Sequence, residues 1–216
     1  MLLTSMAFAS TAEEIIDRVI DNQKKIRNWS GVYTQTVKGD FAPNGQEEIG
    51  RIIVQGKNTR KDIQRPDRKI TIQTETLLTE KDIKTGAITR KDLTLNRNKQ
   101  SSLKIKPEDA LLDAKFQLRV ENDAEAMLEG HMDNIRMEII VDKTKYVPAQ
   151  MSMYLPGGTS FTMKQTYELI DGIHILTSSK VDLMLVVGSR ALAAKTTTTY
   201  KMIKVNQTIN DDVFKL

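Results

Sequence analysis

The sequence contains no cysteine. That excludes a disulfide framework, a thiolate metal site and a cysteine nucleophile. Histidine is nearly absent too: His131 and His174 are the only two, far apart and without carboxylates at a ligand-like spacing, so neither a metal site nor His-based acid/base chemistry is expected. Aromatic residues make up only 5% and are scattered, which removes the stacking platforms that nucleic-acid binding would need. No apolar run approaches the ~20 residues a bilayer-spanning helix requires. The chain also lacks G-x-S-x-G, a Walker loop and G-x-G-x-x-G, so it carries no sequence sign of catalysis or of a cofactor. Gly157-Gly158-Thr159-Ser160 sits between two alternating runs and reads as a hairpin turn rather than an anion nest.

What remains is a 216-residue chain, the length of one full domain, with 39% hydrophobic and 28% charged residues. Its 32 Lys+Arg and 28 Asp+Glu give a net charge of +4, and the two signs alternate along most of the chain. The densest basic stretch runs from Lys57 to Lys69 and reads as solvated faces of neighbouring strands.

The opening MLLTSMAFAS places Ala7 and Ala9 where a signal peptidase reads an A-x-A site, after apolar or small residues. Residues 1–9 therefore read as the remnant of an export signal, and residues 10–216 as the single domain of a soluble exported protein. No cysteine follows the site to carry a lipid anchor.

Ser10 and Thr11 each have a glutamate three residues on, the spacing of a capping box. Ile15, Ile16, Val19, Ile20 and Ile26 follow at helical spacing, so an amphipathic helix is expected up to about Trp29. From GVYTQTVKGDF onward the sequence reads as strands separated by turns: Asn44-Gly45, Thr85-Gly86, Lys143-Thr144, Pro156-Gly157-Gly158, Asp171-Gly172 and Gly188-Ser189. The intervals leave no room for βαβ crossovers, so antiparallel hairpins are expected, interrupted only by a short helix at PEDALLDA. Such a long sheet curls and acquires a concave side. Ten methionines, several at alternating strand positions, suit a surface that repacks around variable apolar ligands.

Three stretches, TAEEIIDRVIDNQKKIRNWSGVYTQTV, IGRIIVQGKNTRKDIQRPDRKITI and IIVDKTKYVPAQMSMY, together with YELIDGIHI and the closing YKMIKVNQTINDDVFKL, resemble the LolA/LolB-like family of periplasmic lipoprotein carriers. The similarity covers nearly all of residues 10–216, and Asn206, Asp211 and Phe214 stand where such proteins finish. The resemblance implies an α+β, mainly antiparallel fold: an incomplete barrel of about eleven strands with helices over an apolar cavity. It also implies a non-enzymatic chaperone that takes the acyl chains of lipoproteins or lipids from an inner-membrane transporter to an outer-membrane acceptor. The chain would act as a monomer with no cofactor, metal or nucleic acid. Relatives of the same fold act instead as envelope-stress sensors that bind a membrane-bound regulator, the alternative reading.

On that basis the candidate cavity contacts are Ile16 and Ile20 on the lid helix, with Ile53, Ile72, Ile139, Met151, Met153, Phe161, Met163 and Leu183 on strands. The arginine that holds the lid in family members has two candidate counterparts here, Lys57 and Arg60. Aliphatic residues and methionine replace most of the aromatics that line the cavity in those members.

Overall fold

The computed structural model describes residues 10–94 and 114–216. The expected export remnant at 1–9 lies outside them, as does the expected helix at PEDALLDA but for its last residue, Ala114.

Among the described residues one α-helix, α1 (Ala12–Lys24), leads into thirteen strands. These are β1 (Asn28–Gly39), β2 (Ala42–Gln55), β3 (Asn58–Arg65), β4 (Lys69–Gln73), β5 (Leu77–Asp82), β6 (Ile88–Asp92), β7 (Lys115–Glu121), β8 (Glu125–Met132), β9 (Ile135–Asp142), β10 (Val147–Tyr154), β11 (Ser160–Ile170), β12 (Ile173–Val187) and β13 (Arg190–Val205). All join one antiparallel sheet in the order β6-β5-β4-β3-β2-β1-β13-β12-β11-β10-β9-β8-β7. Because β6 and β7 do not pair, the sheet remains an open half-barrel. Thirteen strands replace the expected eleven or so in part because two-residue connections, Gly56-Lys57 and Asp133-Asn134, divide stretches that read as continuous.

The capping box forms at Thr11. Its hydroxyl accepts from the Glu14 N–H at 3.2 Å, and the Glu14 carboxylate accepts from the Thr11 N–H at 2.9 Å. Glu13 and Glu14 in the first turn and Lys24 in the last complement the helix dipole. The helix stops at Lys24, earlier than the apolar spacing suggested, because Trp29 is already in β1, paired with Val54 and Val205.

Ile15 and Val19 are each 1% exposed and pack on Ala126, Leu128, Ile139, Val141 and Met151, so α1 lies over β8–β10. Fully burying two such side chains contributes about 1.5–3 kcal/mol each. Polar contacts fix the helix at both ends of this patch. The Asn22 amide donates to the carbonyl of Lys145 at 2.7 Å, and the Arg18 guanidinium lies 4.8 Å from the Tyr146 ring centroid. At the exit, the Asn206 side chain accepts from the Arg27 N–H at 2.8 Å and donates to the Lys25 carbonyl at 2.9 Å, tying the α1–β1 junction to the end of β13.

Strand register sets the two faces. Leu118, Leu128, Ile139, Met151, Met163 and Val181 are successive cross-strand partners from β7 to β12, and they form one apolar row on the helix side. Beside it runs Phe116, Gly130, Met137, Met153, Phe161, Leu183 and Ala194. A Cβ on Gly130 would stand 2.6 Å from the Phe116 ring, so glycine there lets the ring lie across the sheet.

The hairpin turns lie where expected at Thr85-Gly86, Lys143-Thr144, Pro156–Gly158, Asp171-Gly172 and Gly188-Ser189. Asn44-Gly45 instead falls inside β2. The β1–β2 connection is made by Asp40 and Phe41, and the register shift beyond Val37 absorbs the glycine at φ +71°. The Asp40 carboxylate accepts from the Ala193 N–H at 2.6 Å, which holds this tip against β13.

Candidate functional site

The C-terminal end of α1, the start of β1 and the concave face of the sheet enclose a cavity of about 560 Å³. That lies within the usual range for small-molecule sites. Ile26 and Gln23 supply its helix wall, Trp29, Ile52 and Val54 one side, and Met151, Met163, Tyr167 and Leu176 the other. Tyr200 stands between, its ring edge-to-face with Trp29 at 5.1 Å between centroids. Burial pushes the Tyr200 phenol above its ordinary pKa, so it stays neutral. Thr59, Gln73, Gln165 and Ser179 add uncharged polar groups to the lining. Among the described residues no Asp, Glu, Lys, Arg or His borders this space, in a chain in which 28% of residues are charged.

The structure brings together some of the residues singled out from sequence and separates others. Met151 and Met163 line the cavity as cross-strand partners. Ile139 continues their row beneath α1, where it is fully buried, and Ile16 packs at the edge of the same cluster. Ile20 is half-buried on α1. Met153, Phe161 and Leu183 share the concave face one row further along, beyond the cavity.

Ile53 and Ile72 lie on the opposite face. Ile52 and Val54 line the cavity, so Ile53 between them points outward, and its partner Arg60 and Arg60's own partner Ile72 point the same way. Neither lid-holding candidate meets α1. Arg60 donates to the Val213 carbonyl at 2.8 Å and pairs with Asp62, so it fastens the C-terminal 3-10 turn (Asp211–Phe214) to the outer face of β3. Lys57 sits in the β2–β3 turn and pairs with Glu75 at 2.6 Å, both well exposed. Trp29, Ile52, Val54, Tyr167, Leu176 and Tyr200 went unselected from sequence. Alternation separates two faces without saying which is concave; the face is marked by α1, which packs on Leu128, Ile139 and Met151 of the same surface.

The concave face does not end with the apolar cavity. Thr59 and Gln73 also border a second hollow of about 260 Å³ over β3–β5, lined by Glu48, Lys61, Lys69, Thr71 and Glu80. Gln35, Glu48 and Lys69 are shared in turn with a third of about 200 Å³ that reaches Asp67 at the β3–β4 turn. The Tyr33 hydroxyl donates to Glu48 at 2.6 Å, and Lys61 stands 3.8 Å from the same carboxylate and 4.9 Å from the Tyr33 ring centroid. Burial, followed by the hydrogen bond to Glu48, pushes the Tyr33 phenol far above its ordinary pKa.

No family model matches the sequence, and no curated protein matches it. Solved structures do match the fold. A DUF1329 family protein from Desulfovibrio piger superposes with a TM-score of 0.67 at 11% identity, over 96% of this chain and 98% of that one. A LolA superfamily protein from Nitrosomonas europaea gives 0.62 at 15% identity, over 96% and 99%. An outer membrane lipoprotein-sorting protein domain from Vibrio parahaemolyticus gives 0.64 at 11% identity, over 94% and 97%. The open half-barrel with its helix is the LolA-like fold.

Proposed function

We propose that this chain is a non-enzymatic periplasmic carrier that holds acyl chains of a lipid or lipoprotein in the concave cavity and ferries them towards the outer membrane. The observation that carries this reading is the cavity's uncharged, largely apolar and methionine-bearing lining beside the end of α1. A water-exposed acyl chain costs ~0.8 kcal/mol per CH₂, so transport across an aqueous space requires a container of this kind. The fold shared with a lipoprotein-sorting domain and a LolA superfamily protein supports the same direction. In this reading Ile26, Met151 and Met163 touch the cargo, while Ile16, Ile20 and Ile139 seat the lid. Met153, Phe161 and Leu183 extend the apolar floor for longer chains. An inner-membrane transporter and an outer-membrane acceptor would load and empty the carrier.

The test is titration with a fluorescent fatty-acid probe. Wild type should bind it stoichiometrically, and Met163→Asp should weaken binding at least about tenfold, because a carboxylate in an apolar site carries a desolvation cost, while circular dichroism stays native. A wild type that binds no probe would overturn the carrier reading.

A further inference from the structure

The cavity and the two charged hollows form one trough, because each shares lining residues with the next: Thr59 and Gln73 at the first junction, Gln35, Glu48 and Lys69 at the second. Along it the chemistry changes once. The cross-strand row Gly31, Ile52, Lys61, Thr71, Glu80 passes from apolar to charged at β3. A surface that takes only hydrocarbon has no use for the charged half, and a surface that takes only polar ligands has no use for the other. The trough matches an amphiphile lying along it.

The charged half carries both signs in defined places. Glu48 is already engaged by Tyr33 and Lys61. Lys69 is half-buried, lines both charged hollows, and its side chain forms no hydrogen bond or ion pair among the described residues. The carboxylate of Glu80, also half-buried, likewise has no partner among the described residues. Lys69 pairs across with Asp82, and Glu80 with Thr71, so Lys69 and Glu80 are diagonal neighbours on β4 and β5, roughly 7–8 Å apart along the backbone. An uncommitted ammonium and an uncommitted carboxylate on the same face of neighbouring strands present a complementary pair of charges to a ligand that itself carries both. We infer that the cargo is a zwitterionic amphiphile of the phosphoethanolamine type, its acyl chain in the Met151–Met163 cavity, its phosphate at Lys69 and its ammonium at Glu80. This rests on the carrier reading above and adds the class of head group and its orientation.

The test compares three single-chain amphiphiles with the same acyl chain, below their micelle concentrations, by calorimetric titration of the full chain. They are monoacylglycerol, which has no charge, lysophosphatidylglycerol, which has only the phosphate, and lysophosphatidylethanolamine, which has both signs. Wild type should bind the ethanolamine lipid about tenfold more tightly than monoacylglycerol. Lys69→Gln should reduce affinity for both phospholipids, Glu80→Gln should reduce it for the ethanolamine lipid alone, and neither should alter monoacylglycerol binding. Equal affinity for all three ligands, or phospholipid affinities unmoved by both substitutions, would overturn the inference while leaving the carrier reading intact. Failure to bind any of the three would overturn both.

Discussion

The two wings of the sheet solve one packing problem alike and then diverge. In each, an aromatic ring lies over a glycine directly across the ladder: Phe116 over Gly130 in the wing formed by β7–β12, Tyr33 over Gly50 in the wing formed by β1–β6. Around Phe116 the neighbours are apolar, among them Ile135, Met137 and Met153, and the adjoining row lies under α1. Around Tyr33 they are Glu48 and Lys61. The same backbone device thus supports a dry surface in one wing and a charged one in the other. The difference lies in the residues at β3–β5, where the concave positions are Lys61, Lys69, Thr71 and Glu80 rather than Met and Ile. Gradation of a single face, and not a change of fold, creates the trough.

Introducing charge under the helix should break the dry wing outright. Val19→Asp places a carboxylate among Leu128, Ile139 and Met151 without a partner, and urea denaturation should show a loss of about 4 kcal/mol or more. Filling the glycines comes next. A Cβ at Gly50 meets the Asp62 carbonyl at 2.6 Å, a backbone atom, whereas the nearest atoms to one at Gly130 belong to the Phe116 side chain. Gly50→Val and Gly130→Val should both cost about 1–3 kcal/mol, with Gly50→Val the larger. A smaller cost at Gly50 would mean that the charged wing is the more pliant of the two.

Tyr33→Phe deletes the hydrogen bond to Glu48 and should cost about 1 kcal/mol at neutral pH. Its pH dependence has a definite sign. The folded-state pKa of Tyr33 is raised, so its contribution is fully present below the unfolded value and is lost as the unfolded chain's phenol ionises, above about pH 10. Urea midpoints at pH 9 and pH 11 should therefore fall less steeply for Tyr33→Phe than for wild type. The smallest effect belongs to Lys57→Ala. Its ion pair with Glu75 is exposed, so its removal should change stability by less than about 0.5 kcal/mol and leave probe binding unchanged.

The fold was legible because its cues are local. Thr11 and Glu14 announce the helix, and the turns at Asp171-Gly172 and Gly188-Ser189 announce hairpins whose strands follow by default. Where a local cue was misleading, a longer contact had decided the matter: Asn44-Gly45 looks like the β1–β2 turn, but Asp40 is held by Ala193 from another strand, and the turn forms there. The site was legible only in part, for a related reason. Met151 and Met163 could be named from their alternation, but choosing Ile52 over Ile53 requires knowing which way the sheet curls. That property belongs to the whole sheet and not to any window of it. Arg60 misled similarly, since its contact with the Val213 carbonyl lies far along the chain.

The strand order has a consequence for how the protein comes into being. Each adjacent pair in the sheet is a hairpin or a neighbour in sequence, with one exception, the seam where β1 meets β13. Each wing can therefore assemble from short-range pairings, while the seam must wait for β13. The cavity straddles that seam, with Trp29, Ile52 and Val54 on one side and Tyr200, Leu176 and Met163 on the other. The cavity is therefore completed only by the pairing of greatest sequence separation in the sheet, when β13 closes on β1.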